Sequence, residues 1–137
     1  MGCLIDTDLW IAVERGKLSS ADLHAITGAD PVFVSPVNLA EMRFGAELID
    51  DSRLKLRALA TIRRMKRKPL MRITGETAEV FGALAARITR GGRGAHFRVQ
   101  DLWLAAQAVQ RNFTLLTGNA KDFRDIPDLK FVEVPGS

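Results

Sequence analysis

The sequence predicts an α/β domain in three layers, α/β/α, around a central parallel sheet. Short apolar runs alternate along the chain with longer segments of helical periodicity, a pattern typical of a parallel sheet with helices on both faces. The length of 137 residues and the hydrophobic content of 47% suit one domain over residues 1–137. Because there is a single cysteine and no apolar segment of membrane-spanning length, we expect a cytoplasmic protein that does not enter membranes.

The first predicted strand, residues 3–5, is a short apolar run that ends abruptly at Asp6. Parallel sheets place ligand sites at the carboxyl ends of their strands, so Asp6 is a candidate site residue. A second interpretation fits the same residues equally well: Thr7 or Asp8 is the N-cap of a helix predicted over residues 9–14. Only residues elsewhere in the chain decide between the two.

The next predicted elements are a helix over residues 20–28, a strand over residues 32–34 and a helix over residues 36–49. Ser35 and the proline after it form the start of the third helix, as N-cap and first helical residue. Glu41 lies in the second turn of that helix, away from its apolar face and near the same strand ends as the first candidate carboxylate. We therefore expect the two carboxylates to converge, against the alternative that Glu41 is an ordinary solvated helix residue.

A strongly basic helix is predicted over residues 52–68, which hold eight Lys and Arg residues and no acid. Residues 53–98 contain 13 basic residues against two acidic ones, while the rest of the chain has 7 basic and 14 acidic residues. Such an excess predicts contacts with phosphates rather than only a solvated surface. The helix also carries an apolar stripe, which we expect to be buried in a homodimer and against a further partner: Leu54, Leu59, Ile62 and Met65.

The second half of the chain continues the alternation of strands and helices. We predict strands over residues 70–73, 113–116 and 131–134, and helices over residues 76–88 and 100–111. Asp101 lies in the first turn of the last helix, where an aspartate is also common as a partner of the helix dipole.

The glycine-rich segment 90–96 does not have the glycine order of a phosphate-binding loop, so it is predicted to be a linker. His96 within it has no second His or Cys at ligand spacing, so we expect no metal-binding or nucleophile-activating role for it.

Four motifs occur in order along the chain: Leu4-Ile5-Asp6-Thr7, Leu39-Ala40-Glu41-Met42-Arg43-Phe44-Gly45, Asp101-Leu102-Trp103-Leu104-Ala105-Ala106 and Leu116-Thr117-Gly118-Asn119-Ala120-Lys121-Asp122-Phe123. In this order and at this spacing they resemble the PIN-domain ribonucleases over nearly the whole chain. The chain is more closely similar to the VapC-type toxins of bacterial toxin–antitoxin modules. The resemblance implies a central parallel sheet of four or five strands and Mg²⁺- or Mn²⁺-dependent endonucleolytic cleavage of RNA. It also implies a cognate antitoxin whose tail occupies the active site.

The resemblance assigns the family's acidic quartet, catalytic and metal-binding, to Asp6, Glu41, Asp101 and a fourth position within residues 117–123. Asn119 and Asp122 compete for the fourth position; we favour Asp122 as a ligand and Asn119 as a turn-former that bonds its own backbone. Thr7 and Thr117 are the supporting hydroxyls. The family mostly has asparagine where this chain has Asp8, and an N-cap is the role we expect there.

The predicted chemistry is hydrolysis by metal-activated water, because a cation held by carboxylates lowers the pKa of bound water and needs no histidine base. A second ion about 4 Å away would stabilise the leaving oxygen. Two other function classes fit the same residues: a catalytically degenerate RNA-binding module, and a metal-dependent DNA nuclease or phosphatase of similar fold. The cations that we expect to contact RNA phosphates are Arg53, Arg63, Arg64, Arg67, Arg90, Arg93 and Arg98.

Overall fold

The computed structural model describes residues 2–94 and 98–135, so His96 lies outside the described part of the chain. Within these residues, four strands form one parallel sheet in the order β2-β1-β3-β4. Their bounds are β1 Cys3–Ile5, β2 Val32–Phe33, β3 Thr114–Thr117 and β4 Lys130–Glu133. The predicted central parallel sheet is confirmed, with four strands.

Six α-helices lie in the described residues and cover both faces of the sheet. They are α1 Thr7–Glu14, α2 Ser20–Thr27, α3 Pro36–Glu47, α4 Ser52–Met65, α5 Gly75–Arg90 and α6 Val99–Arg111. Cys3 and Ile5 of β1 point into a core shared with α1 to α4, whereas Leu4 points into a second core shared with α5 and α6. Successive side chains of a strand alternate between faces, so one three-residue strand supplies both cores. The three-layer arrangement is confirmed.

The register of the sheet determines which residues meet at its carboxyl edge. Ile5 of β1 pairs with Leu116 of β3, and the backbone N–H of Asp6 donates to the Leu116 carbonyl at 2.8 Å. Because the two strands are parallel and in this register, Asp6, directly after β1, and Thr117, the last residue of β3, lie at the same edge. None of the helices in the described residues has the length and hydropathy needed to cross a membrane.

The strand predicted over residues 70–73 is not present as a strand. One isolated parallel bridge joins Leu70 to Val34, and the backbone N–H of Met71 donates to the Val34 carbonyl at 2.8 Å. The Met71 carbonyl accepts instead from the buried side chain of Gln107, at 2.7 Å. The apolar run therefore enters the core beside the sheet without extending the ladder.

The apolar stripe of α4 is divided between the interior and the surface. Ile62 and Met65 are 5% and 1% exposed and pack in the core of their own chain, and Leu59 packs partly against it. The prediction that this stripe needs a partner is therefore wrong for these residues, because α4 lies against α1 and α3. Four of the exposed apolar side chains instead lie at the end of α3 and the start of α4: Phe44, Leu48, Leu54 and Leu56.

Candidate active site

Asp6 is the N-cap of α1, and both of its carboxylate oxygens accept hydrogen bonds. Oδ1 accepts from the backbone N–H of Thr7, and Oδ2 accepts from the hydroxyl of Thr117, each at 2.8 Å. The expectation that Thr7 or Asp8 forms the cap is therefore wrong, because Asp6 itself has extended backbone angles and a side chain that reaches the first helical N–H. The cap and the candidate site residue are the same side chain.

Glu41 reaches this edge through Thr7. The Thr7 hydroxyl donates to Glu41 Oε1 at 2.7 Å and accepts from Asn38 Nδ2 at 3.0 Å. The same Asn38 amide group donates to the Ile5 carbonyl at 3.1 Å. Asn38 is fully buried and thus ties the end of β1, the start of α1 and the second turn of α3 together.

The role of Asn38 was not predicted from the sequence. A local pattern for it exists, because Ser35 and Asn38 form a capping box in which the Ser35 N–H donates to Asn38 Oδ1 at 2.9 Å. That pattern explains one side of the amide group. The other side contacts residues more than thirty positions away, which no local pattern specifies.

The carboxylates at this edge raise one another's pKa. The pKa of Asp6 is raised to about 7, mainly by burial and next by the charge of Asp8, with a smaller contribution from Asp101. The pKa of Asp101 is raised to about 6 by burial and by the charge of Asp122, and the charge of Glu41 adds to this. The predicted convergence of acids is therefore present as an electrostatic cluster.

Asp8 joins α1 to the loop that follows β3. Its Oδ2 accepts from the backbone N–H of Gly118 at 3.1 Å, and burial raises its pKa. Its Oδ1 is buried and has no hydrogen-bond partner within the described residues. The N-cap role expected for Asp8 is wrong, because Asp8 is the second residue of α1. Its side chain adds a fifth carboxylate to the cluster.

The loop after β3 is ordered by side chains around Asp122. The Asn119 backbone N–H donates to the Thr117 hydroxyl at 3.0 Å, and the Asn119 side chain donates to Asp122 Oδ2. Asn119 is therefore not the self-bonding turn residue that we expected. Asp122 is partly buried, and its backbone carbonyl accepts from the guanidinium of Arg98.

The predicted RNA-binding cations differ in their surroundings. Arg98 is held by Asp125, with Nη1 donating to Oδ2 at 2.6 Å and Nη2 donating to Oδ1 at 2.9 Å, and it lies beside Asp101 and Asp122. Arg93 is exposed, and its Nη1 lies 3.6 Å from Oδ2 of Asp125. The remaining predicted cations are exposed: Arg53, Arg63, Arg64, Arg67 and Arg90. RNA contacts by these side chains stay a prediction.

The donor set of this edge has the chemistry of a site for a hard divalent cation. Carboxylate oxygens predominate, burial and then neighbouring negative charge raise the pKa values of Asp6 and Asp101, and one buried oxygen of Asp8 lacks a partner within the described residues. As the side chains stand, no group of three acidic, histidine or cysteine residues within 2–94 and 98–135 is arranged to hold an ion. Several of the carboxylates accept from Thr7, Thr117, Gly118 and Asn119 instead.

Comparison with known proteins identifies the fold. The family model described as PIN domain matches residues 3–129, a range that contains every acid of the cluster. The chain belongs to the PIN-domain family. This confirms the resemblance stated from the four motifs.

Relatives and solved structures place the chain near VapC proteins within the PIN-domain family. "Ribonuclease VapC" of Rickettsia bellii is 33% identical over 141 residues, covering 98% of each chain. "Ribonuclease VapC5" of Mycobacterium tuberculosis is 27% identical, covering 96% of this chain and 92% of that protein. The structure of VapBC2 from Rickettsia felis bound to a promoter DNA fragment matches this chain with a TM-score of 0.82. The sequence identity is 21%, and the match covers 98% of this chain and 99% of that one.

Proposed function

We propose that this PIN-domain protein is a metal-dependent endoribonuclease and the toxin of a type II toxin–antitoxin pair. The acidic cluster at the carboxyl ends of β1 and β3 carries the proposal, because burial and neighbouring negative charge disfavour the ionised forms of Asp6 and Asp101, and a bound cation would stabilise those forms. The names of the relatives support RNA as the substrate class and a VapB-type protein as the partner.

The residues that would hold Mg²⁺ or Mn²⁺ are Asp6, Glu41, Asp101 and Asp122. When bound, the cation supplies a water of lowered pKa and polarises the phosphoryl oxygen. The chain's own contribution is orientation: the Thr7 N–H and the Thr117 hydroxyl fix the two oxygens of Asp6, and the Thr7 hydroxyl fixes Glu41. The Arg98 guanidinium holds the loop that carries Asp122 beside Asp101.

A cavity of about 410 Å³ between α1, α3 and α4 suits the partner. Its wall includes Ile11, Met42 and Leu54, and it reaches Glu41 of the acidic cluster. Exposed apolar side chains at the end of α3 extend this surface, with Phe44 69% and Leu48 67% exposed. An apolar helix of the antitoxin would bury them, and its tail would reach the acidic cluster.

The activity is tested by digesting RNA and single-stranded DNA with Mg²⁺ or Mn²⁺, with and without excess chelator. We expect cleavage of RNA only, only with metal, and none by Asp6→Asn. RNA binding without any turnover would favour the degenerate binding module, and cleavage of DNA would favour the DNA nuclease. Sequencing of 5′ ends after brief induction in cells then identifies the RNA that is cut.

The partner is tested by co-expression with the product of the neighbouring gene, using two matched leucine variants. Leu54→Glu places a charge in the proposed surface, whereas Leu70→Glu changes a leucine of similar exposure, 49% against 47%, that does not line the cavity. We expect Leu54→Glu to abolish co-purification and Leu70→Glu to retain it. Light scattering of the isolated chain tests the homodimer that we expect from the sequence, and a monomer at high concentration would contradict that expectation.

A further inference from the structure

Two adjoining cavities lie between α1, α2 and the end of α4. The first has a volume of about 450 Å³ and mostly apolar walls, among them Ile5 and Leu23. The second has a volume of about 320 Å³ and is lined by cations at the end of α4. The two share four residues, so they form one continuous depression, here called the Trp10 cleft: Trp10, Val13, Ser20 and Lys68.

Trp10 lines both cavities and has an unused hydrogen-bond donor within the described residues. Its side chain is 6% exposed, and its Nε1 is buried without an acceptor within the described residues. Buried indole N–H groups normally find a partner, so the orphan donor indicates that an acceptor is supplied from outside the chain. Ser20, His24 and Thr27 add further polar groups to the wall of the first cavity.

The second cavity has the charge of an anion site. Arg64, Arg67 and Lys68 line it, and none of the three forms an ion pair with an acid in the described parts of the chain. Among their side chains, the guanidinium of Arg64 donates from Nη2 to the Thr61 hydroxyl at 3.1 Å. Three close cations without acids repel one another, and an anion between them removes that repulsion.

We propose that the Trp10 cleft binds one unpaired nucleotide of the RNA substrate. The base lies in the first cavity, where its edge accepts from Trp10 Nε1, and a phosphate lies in the second cavity between the cations. Recognition of RNA by single-stranded bases held in apolar pockets, with polar groups reading their edges, has this combination of features. The inference rests on the proposed ribonuclease function and deepens it, because it assigns a subsite that selects which nucleotide is bound near the cut.

The position of the cleft suits this role. Trp10 lies four residues after Asp6 on α1, which is about one helical turn or about 6 Å along the axis. A strand of RNA that passes the acidic cluster thus has a neighbouring nucleotide within reach of the cleft. A peptide partner fits the cleft less well, because cations without acidic partners favour the negative charge of a phosphate. The cavity between α1, α3 and α4 instead offers the exposed apolar surface that an antitoxin helix needs.

The test is a binding assay with chelator present, so that no RNA is cut. The probe is a short single-stranded RNA, compared with the same RNA carrying one abasic position at each site in turn, and binding is followed by fluorescence anisotropy. We expect one abasic position to weaken binding about tenfold. Uniform affinity along the whole abasic series would overturn the inference while leaving the cleavage assay, and so the proposed function, intact.

Two alanines of α2 give a matched pair of variants for the first cavity. Ala21 lines it and Ala25 does not, and both are exposed, so leucine at either position leaves the core untouched. We expect Ala21→Leu to remove the tenfold abasic penalty and Ala25→Leu to keep it. If Ala21→Leu keeps the penalty but lowers binding of the antitoxin, the cleft belongs to the protein partner and the inference is wrong.

Two pairs of cations on α4 test the second cavity. Arg64→Gln with Arg67→Gln removes two charges from the wall, whereas Arg63→Gln with Lys66→Gln removes two charges from the same turns outside it. We expect the first pair to reduce the log–log salt slope of binding by about 1.4 and the second pair by less than half of that. A salt slope that the first pair leaves unchanged would mean that the cations of the cleft hold no phosphate, which would overturn the inference.

Discussion

The hydroxyl of Thr117 donates a 2.8 Å hydrogen bond to Oδ2 of Asp6 and joins the end of β3 to the end of β1. The same hydroxyl oxygen accepts from the backbone N–H of Asn119 at 3.0 Å. Through these two bonds it orients the carboxylate at the centre of the acidic cluster and the loop that carries Asp122. Thr117 therefore connects the two halves of the candidate active site.

The first prediction concerns this hydroxyl. Thr117→Val keeps the shape of the side chain but leaves Asp6 Oδ2 and the Asn119 N–H unpaired, which we expect to lower stability by about 1–3 kcal/mol. RNA cleavage should fall about tenfold or more, because Asp6 loses its orientation. Thr117→Ser retains the hydroxyl and should recover most of the rate. Equal rates for the valine and serine variants would contradict a role for the hydrogen bond.

The second prediction concerns the charge of the cluster. Asp6→Asn and Asp101→Asn should each abolish metal-dependent cleavage, because each removes a negative charge from a site proposed to hold a cation. The melting temperature of the metal-free protein should stay unchanged or rise, because like-charge repulsion is relieved. Asp50→Asn removes an exposed acid outside the cluster and is the control that should keep full activity. Cleavage by either cluster variant, or by any variant in excess chelator, would contradict the mechanism.

The carboxyl edge of the sheet was predictable because the ends of strands are marked by local patterns. Asp6 and Thr117 each follow a short apolar run, and parallel strands bring such positions to one edge. Residues 70–73 show where this reasoning fails: the apolar run has strand composition, but its Met71 carbonyl bonds to Gln107, which is 36 residues away. Similar composition in α4 likewise did not separate buried Met65 from exposed Leu54, because that difference depends on where α4 crosses its neighbours.

The third prediction separates the two functions of Asn38. Asn38→Asp keeps an oxygen that accepts from the Ser35 N–H. Its second oxygen replaces the amide donor that faces the Thr7 hydroxyl, so this hydroxyl donates to the new carboxylate and no longer to Glu41. We expect the variant to fold, to need more Mn²⁺ for half-maximal activity and to cleave RNA more slowly. Ser35→Ala, which disturbs the capping box but not Thr7, should lower the melting temperature without this change in the Mn²⁺ requirement. The same Mn²⁺ titration curve for Asn38→Asp and the unmodified protein would refute the positioning role.

The fourth prediction concerns pH. The pKa of Asp6 is about 7 in the folded protein and near 3.8 when unfolded, so the folded state binds more protons between these values. The free energy of unfolding of the metal-free protein should therefore fall as pH rises from about 4 to 7, by the order of a few kcal/mol. Melting temperatures measured in chelator between pH 5 and 8 check this. The slope should be smaller in Asp6→Asn and unchanged in Asp50→Asn; a melting temperature that rises over this range would contradict it.

The last prediction concerns the fourth acid of the site. The Asn119 side chain donates to Asp122 Oδ2, while the Asp122 charge raises the pKa of Asp101, so the aspartate faces the cluster and the asparagine orients it. Asp122→Asn should raise the Mn²⁺ concentration needed for activity and lower the maximal rate, because a neutral amide contributes little to holding a hard dication.

Asn119→Ala leaves the charge of Asp122 in place but removes the donor that holds its carboxylate. We expect Asn119→Ala to lower the melting temperature clearly and the maximal rate only little. Its Mn²⁺ requirement should be closer to that of the unmodified protein than the requirement of Asp122→Asn is. Lys121→Ala changes an exposed side chain of the same turn and is the control for the loop backbone. Titration of Mn²⁺ against initial cleavage rate compares all three variants. If Asn119→Ala raises the Mn²⁺ requirement and Asp122→Asn does not, the ligand is Asn119 and the two assignments must be exchanged.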